Sequence, residues 1–455
     1  IPDFESRLRD RFPELALWHP THKYDVKTIA HILEFVALSL QSQIGCPVTF
    51  GQTLSLPDQR GYRVIVEYSE EAVGKLALQY AYDLCIATIE NLPYDLNYAL
   101  QRMQLLYEDI RLGPSTGAIV KAATSRGIPY RRLTDGSLVQ LGWGSKQRRI
   151  QATESDRTNA VAESIVQDKQ LTKMLLQAAG IPVPLGRSVN DAEDAWVAAC
   201  EIGLPVVIKP RDGNHGRGVA VNLMTEQQVK LAFSLVAAIE DDVIVEQCIM
   251  GSDYRLLVVG GEVIAAARRD PPQVIGDGIH TISQLIEKIN QGPLRSEGHT
   301  NVLTKIHLDQ ISLDFLASQG YCAESIPGKG VSVILRNNAN LSTGGSATDV
   351  TDDVHPEVAA TAITAAKMTG LDICGIDLVC DSISAPLEVQ KGAIIEVNAA
   401  PGLRMHLQPS FGRGRAVGEA IIDYMFTPGE DARIPIVAVT GTNGKTTTVR
   451  LIANM

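Results

Sequence analysis

The sequence has no apolar run of about 18 residues or more, so nothing in it reads as a membrane-spanning helix. Its opening, IPDFESRLRDRF, has neither an initiator Met nor the apolar core of a secretion signal. A processed or trimmed start and a cytoplasmic location are the expectations. Cysteine is sparse: seven residues, at 46, 85, 200, 248, 322, 374 and 380, with no C-x-x-C pair. That excludes a disulfide frame and a zinc knuckle, and predicts reduced thiols. Basic excess is missing too. The 41 Lys and Arg face 52 Asp and Glu, a formal charge of −11. Nucleic acid is thereby disfavoured as the main partner, although local basic patches stay possible. Internal repeats and low-complexity tracts do not stand out.

What is present is a chain of 455 residues, 45% of them hydrophobic. At ~150 residues per domain, two to four domains are expected. The spacing predicts helices at 28–44, 72–90, 96–112 and 118–126, and strands at 62–68 and 138–143. These form a small α/β unit over 1–152 with no obvious catalytic set. A polar connector at 151–164 leads to a helix at 168–179 that carries Lys169 and Lys173 near its start. Beyond it come a helix at 225–239, a strand at 243–246, and a hairpin of 254–259 with 263–268 turning at Gly260-Gly261. The stretch 271–345 reads as long and irregular, with one clear helix at 281–290. A helix at 355–368 precedes strands at 373–380 and 393–398, and 434–439 reads as a buried strand.

Two stretches carry the chemistry. The first is PVVIKPRDGNHGRGVAVN at 205–222: a strand ending on Lys209, a glycine-rich loop with Gly213, Gly216 and Gly218, and a second strand at 219–221. Glycines let backbone N–H groups close on an anion, and Lys209, Arg211, His215 and Arg217 bring cations or donors to the same place. β-Branched residues rather than a helical pattern follow the glycines, so this is a flap over nucleotide phosphates and not a Rossmann or P-loop site. The second stretch pairs Asp377 on one strand with Glu396 and Asn398 on another. Residues i and i+2 of a strand share a face, so Glu396 and Asn398 project together. If the strands are neighbours, Asp377 joins them, and three oxygen ligands suit Mg²⁺.

The order of a lysine at 169, Lys209 with its flap, the strand VIVEQ, and the Asp…Glu-x-Asn set resembles the ATP-grasp carboxylate–amine ligases. The resemblance implies that Lys169 and Lys209 contact the phosphates of ATP. It also implies that Glu246 with the backbone of Gln247 and Cys248 forms the adenine hinge, and that Asp253 meets the ribose. Asp377, Glu396 and Asn398 would hold magnesium. GPST at 113–116, DGSLVQLGWGSKQRRIQA at 135–152, KPRDGNHGRG, NLSTGG at 340–345 and EVNAAPGLRMH at 396–406 narrow the likeness to the cyanophycin synthetases.

That family builds a poly-aspartate backbone with arginine on each β-carboxylate. The resemblance therefore implies a primer or polymer, L-aspartate and L-arginine as partners, phosphorylation of the polymer's terminal carboxylate, and attack by the aspartate amine. It implies a homodimer or homotetramer as well. Arg269 matches a family arginine and is the candidate for steadying the developing charge. Ser115, His215 and the loop Ser342-Thr343-Gly344 are candidates for gripping the terminal carboxylate.

The run IPIVAVTGTNGKTTT also resembles the cyanophycin synthetases, and its GTNGKT form resembles the Mur ligases, where Gly441, Gly444, Lys445 and Thr446 would serve phosphate and magnesium. A full P-loop would have glycine at the position of Val439, and the chain stops ten residues after Lys445, so the arginine-adding domain is expected to lie outside it. The fold expectation is thus α/β (α+β). A small N-terminal domain spans 1–152, an ATP-grasp fold spans 153–430, and the first strand and P-loop of a Mur-ligase-like domain span 431–455. On the first helix, many relatives carry His-x-x-Glu-His. Here Phe35 stands where the second histidine would be, leaving His31 and Glu34 short of three zinc ligands, so no zinc is expected. Rival functions are polymerisation of β-aspartyl-arginine dipeptides, a non-catalytic polymer-binding scaffold, and an ATP-grasp ligase for another small peptide.

Overall fold

The computed structural model describes residues 4–13, 28–57, 61–211, 219–240, 242–292, 295–296, 303–336 and 338–455. The chain divides into two compact units, Ile1–Arg111 and Leu112–Met455. Among the described residues, no helix is long and apolar enough to cross a membrane.

In the first unit, helices Ile29–Gln43, Glu71–Glu90 and Leu96–Ile110 pack with a hairpin of Gly51–Ser55 and Tyr62–Val66. Their apolar faces meet in a core around Val36, Leu38, Leu40, Leu84 and Met103. The helix at Leu96 starts where the Asp95 side chain accepts the Tyr98 N–H at 2.9 Å, satisfying a donor the helix cannot. Phe35 lies against this core, as its apolar ring requires.

Two sheets organise the second unit. The smaller is antiparallel, in the order Gly186–Val189, Val243–Gln247, Val206–Pro210, Ala220–Leu223. Helices Ala192–Ile202 and Glu226–Ala237 cover it through Ala195, Ala198, Val229 and Val236. The larger runs Ser346–Asp349, Glu262–Asp270, Ser252–Val259, Ile373–Cys380, Ala393–Asn398, again antiparallel.

Along the strand Ser252–Val259, Tyr254, Leu256 and Val258 join the core that also holds Val358, Ala362 and Leu176. Leu257 and Val259 face the opposite way, among Ile119, Ile373, Val417 and Ile421. A strand buried on both faces reads as an unbroken apolar run, which is why LLVV shows no alternation.

Residues 112–152, grouped with the N-terminal domain in the sequence, belong to the second unit. Their helix Pro114–Ser125 and strands Leu138–Leu141 and Arg148–Gln151 bury Ile119, Leu141 and Ile150 against the larger sheet. The stretch 271–345 is more ordered than expected. It adds a helix, Gln310–Ser318, and a strand pair, Gln273–Ile275 with Ser332–Ile334, around Val274, Leu285, Leu316 and Val333. The strand expected at 434–439 does not form, and Ile436 and Val437 are exposed. An apolar run becomes a strand only where a neighbour takes its backbone groups, and no described strand pairs with it.

Candidate active site

The larger sheet places a row of charges by register. Arg255 lies opposite Asp377, and Asp377 lies opposite Glu396 on the next strand. On the other flank, Asp253 lies opposite Arg269. Because side chains alternate, Asp253 and Arg255 share the face of Leu257 and Val259, so one strand face is polar at one end and apolar at the other. A bulge leaves Ile395 unpaired beside Asp377 and Leu378, a device that re-aims side chains at strand ends.

Asp377 is 7% exposed and accepts from Arg255 through Nε and a terminal nitrogen, the latter at 2.9 Å. Arg269 reaches Oδ2, the oxygen that also takes the terminal nitrogen of Arg255, at 3.2 Å, and Asn398 Nδ2 lies 3.4 Å from that same oxygen. Arg269 also donates to Asp253 at 2.7 Å. A Cβ at Gly375 would sit 2.7 Å from the Arg255 guanidinium and push it out of place.

These contacts set the protonation states. Burial pushes the Asp377 carboxyl up, and the charges of Arg255 and Arg269 more than reverse it, so it is held below the usual range. Burial pushes Asp253 up to about 6, against the pull of Arg269 and with help from the Asp377 charge. His406, 3% exposed, is pushed down to about 3 by burial and by Arg255.

The second cluster lies at the smaller sheet. Glu246, 6% exposed, pairs with Lys209 of the neighbouring strand at 2.7 Å and with Lys173. Burial would raise its carboxyl, and the two lysine charges bring it below its ordinary value instead. Lys173 sits one turn after Lys169 in the helix Lys169–Ala178, and Lys169 lies 3.2 Å from Glu396. Asp168 caps this helix by accepting the Gln170 and Leu171 N–H groups at 3.1 and 3.0 Å. One capped helix therefore reaches both sheets, through Lys173 to Glu246 and through Lys169 to Glu396.

The remaining expected residues fall as follows. The N–H groups of Gln247 and Cys248 donate to Leu185 O at 2.7 Å and Pro205 O at 3.0 Å. Asp253 stands with Arg269 in the charge row. Gly213, His215, Gly216 and Gly218 lie outside the described residues. Ser115 Oγ accepts the Leu403 N–H at 2.9 Å, which ties the first turn of the helix Pro114–Ser125 to the segment after Asn398. Ser342 and Thr343 form a short turn that ends on Gly344 at φ +98°, and Thr343 donates to Asn338 at 2.8 Å. The Gly344 carbonyl accepts from Arg295 at 3.2 Å, Arg295 also donates to Thr304 O, and Arg404 donates to Thr304 Oγ1 at 3.3 Å. Lys445 Nζ curls back to the Gly441 carbonyl and lies 3.4 Å from that of Thr442, with Gly444 capping the exposed helix Lys445–Ala453 that begins with Lys445 and Thr446.

Sequence reasoning missed Arg255 and His406, and gave Lys173 no role. Arg255 had a signal, since its spacing from Asp253 puts both on one strand face.

A family profile described as a cyanophycin synthase-like N-terminal domain matches residues 1–90. A RimK-like ATP-grasp domain matches residues 166–273 and 332–412. The cyanophycin synthetase of Trichormus variabilis is 45% identical over 94% of this chain and 48% of its own length. The chain belongs to the cyanophycin synthetase family. That of Crocosphaera subtropica, another member of the family, is also 45% identical, over 100% of this chain and 54% of its own. The chain thus spans about half the length of the curated cyanophycin synthetases it matches. Among solved structures, a bifunctional glutathione synthetase from Pasteurella multocida aligns with a TM-score of 0.56 at 26% identity. That alignment covers 92% of this chain and 57% of the other.

The two sheets with the charged residues described above are the ATP-grasp fold of this cyanophycin synthetase family member. Asp377 and Glu396, opposite each other across the strands, and Asn398 beside them carry hard oxygens of the kind magnesium takes; here Arg255 and Arg269 hold the Asp377 oxygens, and Asn398 turns its Nδ2 toward Asp377. Among the described residues, no three His, Cys, Asp or Glu side chains gather into a group that could hold a metal ion.

Proposed function

We propose that the ATP-grasp domain is an ATP-dependent amide ligase acting on the C-terminal carboxylate of a poly-aspartate backbone. The supporting observation is the helix Lys169–Ala178, whose lysines engage carboxylates on both sheets and so line the space between them with cations. A carboxylate oxygen of the polymer attacks the terminal phosphorus of ATP, the bond to the bridging oxygen breaks, and ADP leaves with its electrons. The aspartate amine then attacks the acyl carbon. The amine loses a proton, the bond from carbon to the phosphate oxygen breaks, and an amide and phosphate result.

In this reading Lys169 and Lys209 hold phosphate oxygens, and Gln247 and Cys248 edge the adenine. Arg269, fixed by Asp253 and Asp377, steadies charge on the transferring group. Asp377, Glu396 and Asn398 would hold magnesium, which supplies further charge neutralisation. Ser115 and the turn at 342–344 would grip the polymer end. Arginine addition, and the part of Lys445 and Thr446 in it, are proposed on the family's account.

The full-length enzyme tests this. With ATP, primer and aspartate, Lys209→Ala and Glu396→Gln should abolish ADP release while polymer binding persists. Unchanged elongation in either variant would refute these residues as the site of the ligase reaction. Supplying free aspartate and arginine in one reaction and the β-aspartyl-arginine dipeptide in another separates the two kinds of polymerisation.

A further inference from the structure

Glu246 divides its two oxygens between two lysines. Oε1 takes Lys173, from the helix, and Oε2 takes Lys209, from the adjacent strand, at 2.7 Å. In the reading above, Lys209 is needed at a nucleotide phosphate. If it were the sole partner of Glu246, its departure would strand a carboxylate that is only 6% exposed. Leaving a buried charge unpaired is strongly unfavourable, so Glu246 would compete with the nucleotide for Lys209.

We propose that Lys173 is a positioning residue for nucleotide binding: by keeping Glu246 paired, it releases Lys209 to the phosphates. The proposal rests on the ATP-grasp ligase reading. The geometry leaves this role to Lys173 among the cations nearby. Lys169, on the same helix, is directed to Glu396 at 3.2 Å. Arg187, from the edge strand, is held by Asp194 at 2.8 Å and Glu201 at 3.0 Å. Arg211, just past the strand of Lys209, faces Asp242 at 3.8 Å. Lys169, Lys173, Arg187, Lys209, Arg211 and Glu246 all border one cavity of about 320 Å³, which gives Lys209 room to swing.

Protonation adds a second readout. Burial, and then the Lys209 charge, lower the Lys173 ammonium to about 8 against the opposing pull of Glu246. Lys173 is therefore charged at neutral pH, and its support of Glu246 fades as pH rises through about 8.

Calorimetric titration of the full-length enzyme with magnesium and ATP is the test. Lys173→Met should weaken binding roughly tenfold at pH 7, the scale of one lost charge-assisted hydrogen bond. Adding Glu246→Gln to Lys173→Met should bind nucleotide more tightly than Lys173→Met alone, because a neutral amide no longer holds Lys209 by its charge. Lys173→Arg should bind as well as wild type at pH 7 and should lack the wild-type weakening toward pH 9, since arginine stays charged. Wild-type affinity in Lys173→Met overturns the proposal. So does a folded double variant as weak as the single one, which would mark Lys173 as merely structural. A wild type that binds no nucleotide would refute the ligase reading itself, and this inference with it.

Discussion

Removing the Asp377 carboxylate should destabilise the second unit far more than removing that of Glu396, although either loss should end ATP-dependent turnover. Asp377 is 7% exposed and neutralises Arg255 while sharing Arg269 with Asp253. Breaking a buried ion pair from one side costs about 3–5 kcal/mol, because the surviving charge is left uncompensated. Arg269 would keep its 2.7 Å bond to Asp253, so Asp377→Ala strands mainly Arg255. The lower end, about 3 kcal/mol, is the expected loss. Glu396 is different. Its side chain is 32% exposed and meets Lys169 at 3.2 Å. Such pairs contribute about 0.2–1 kcal/mol, so Glu396→Ala should be mild. With about 2.1 cal/mol/K of unfolding entropy per residue over the unit Leu112–Met455, the Asp377 variant should fall by roughly 4 °C in thermal unfolding and the Glu396 variant by no more than about 1.5 °C. Equal shifts would refute the buried charge row. ADP release surviving in either variant would refute the view that these carboxylates serve the nucleotide's cation.

Two further outcomes are expected. Burial and the Arg255 charge depress His406 to about 3, whereas an unfolded histidine titrates near 6.5. Below about pH 6.5 the unfolded chain takes up a proton that the fold does not, so stability falls with pH until about 3. By pH 5 this costs about 2 kcal/mol, at 1.36 kcal/mol per pH unit. His406→Gln should flatten that part of the stability curve in urea unfolding at pH 7 and 5; a slope equal to wild type would sink the assignment. The second concerns zinc. His31 Nδ1 sits 2.8 Å from Thr28 Oγ1, Glu34 accepts from Thr53 at 2.6 Å, and Phe35 packs against the core. Elemental analysis of the full-length protein should find zinc far below one ion per chain, and a stoichiometric amount would overturn that expectation.

Legibility in the sequence followed the range of the interactions involved. The strands Ile373–Cys380 and Ala393–Asn398 could be read to the residue, since each is a buried apolar run with turn signals at its ends. The period of two then put Glu396 and Asn398 on one face with no further information. Arg255 was harder. Its partner Asp377 lies 122 positions away, and only the register of the two strands brings them together. The same holds for residues 112–152, whose apolar positions Leu141 and Ile150 find their cover against a sheet far along the chain. The helix Gln310–Ser318 buries Ser312 and Leu316, too narrow an apolar stripe for periodicity to announce it. The run at 434–439 shows the opposite failure, because apolar content promises burial but cannot supply the strand that would provide it.

Charge balance separates a catalytic reading from a passive one. Around Asp377 the row is even: Arg255 and Arg269 against Asp253 and Asp377. Between the sheets it is uneven, with Lys169, Lys173 and Lys209 set against Glu246 and Glu396. A surface that only held a polymer would gain nothing from sinking Glu246 between two lysines, since desolvating charges is costly and an apolar replacement of similar volume serves the fold as well or better. The arrangement makes sense if a cation there has to move. On the proposed reading, a nucleotide's phosphates would compete for Lys209 and Lys169, and Lys173 would keep the buried carboxylate paired. On that account, the two lysines one helical turn apart divide the work, one paired with Glu396 of the larger sheet and the other with Glu246 of the smaller.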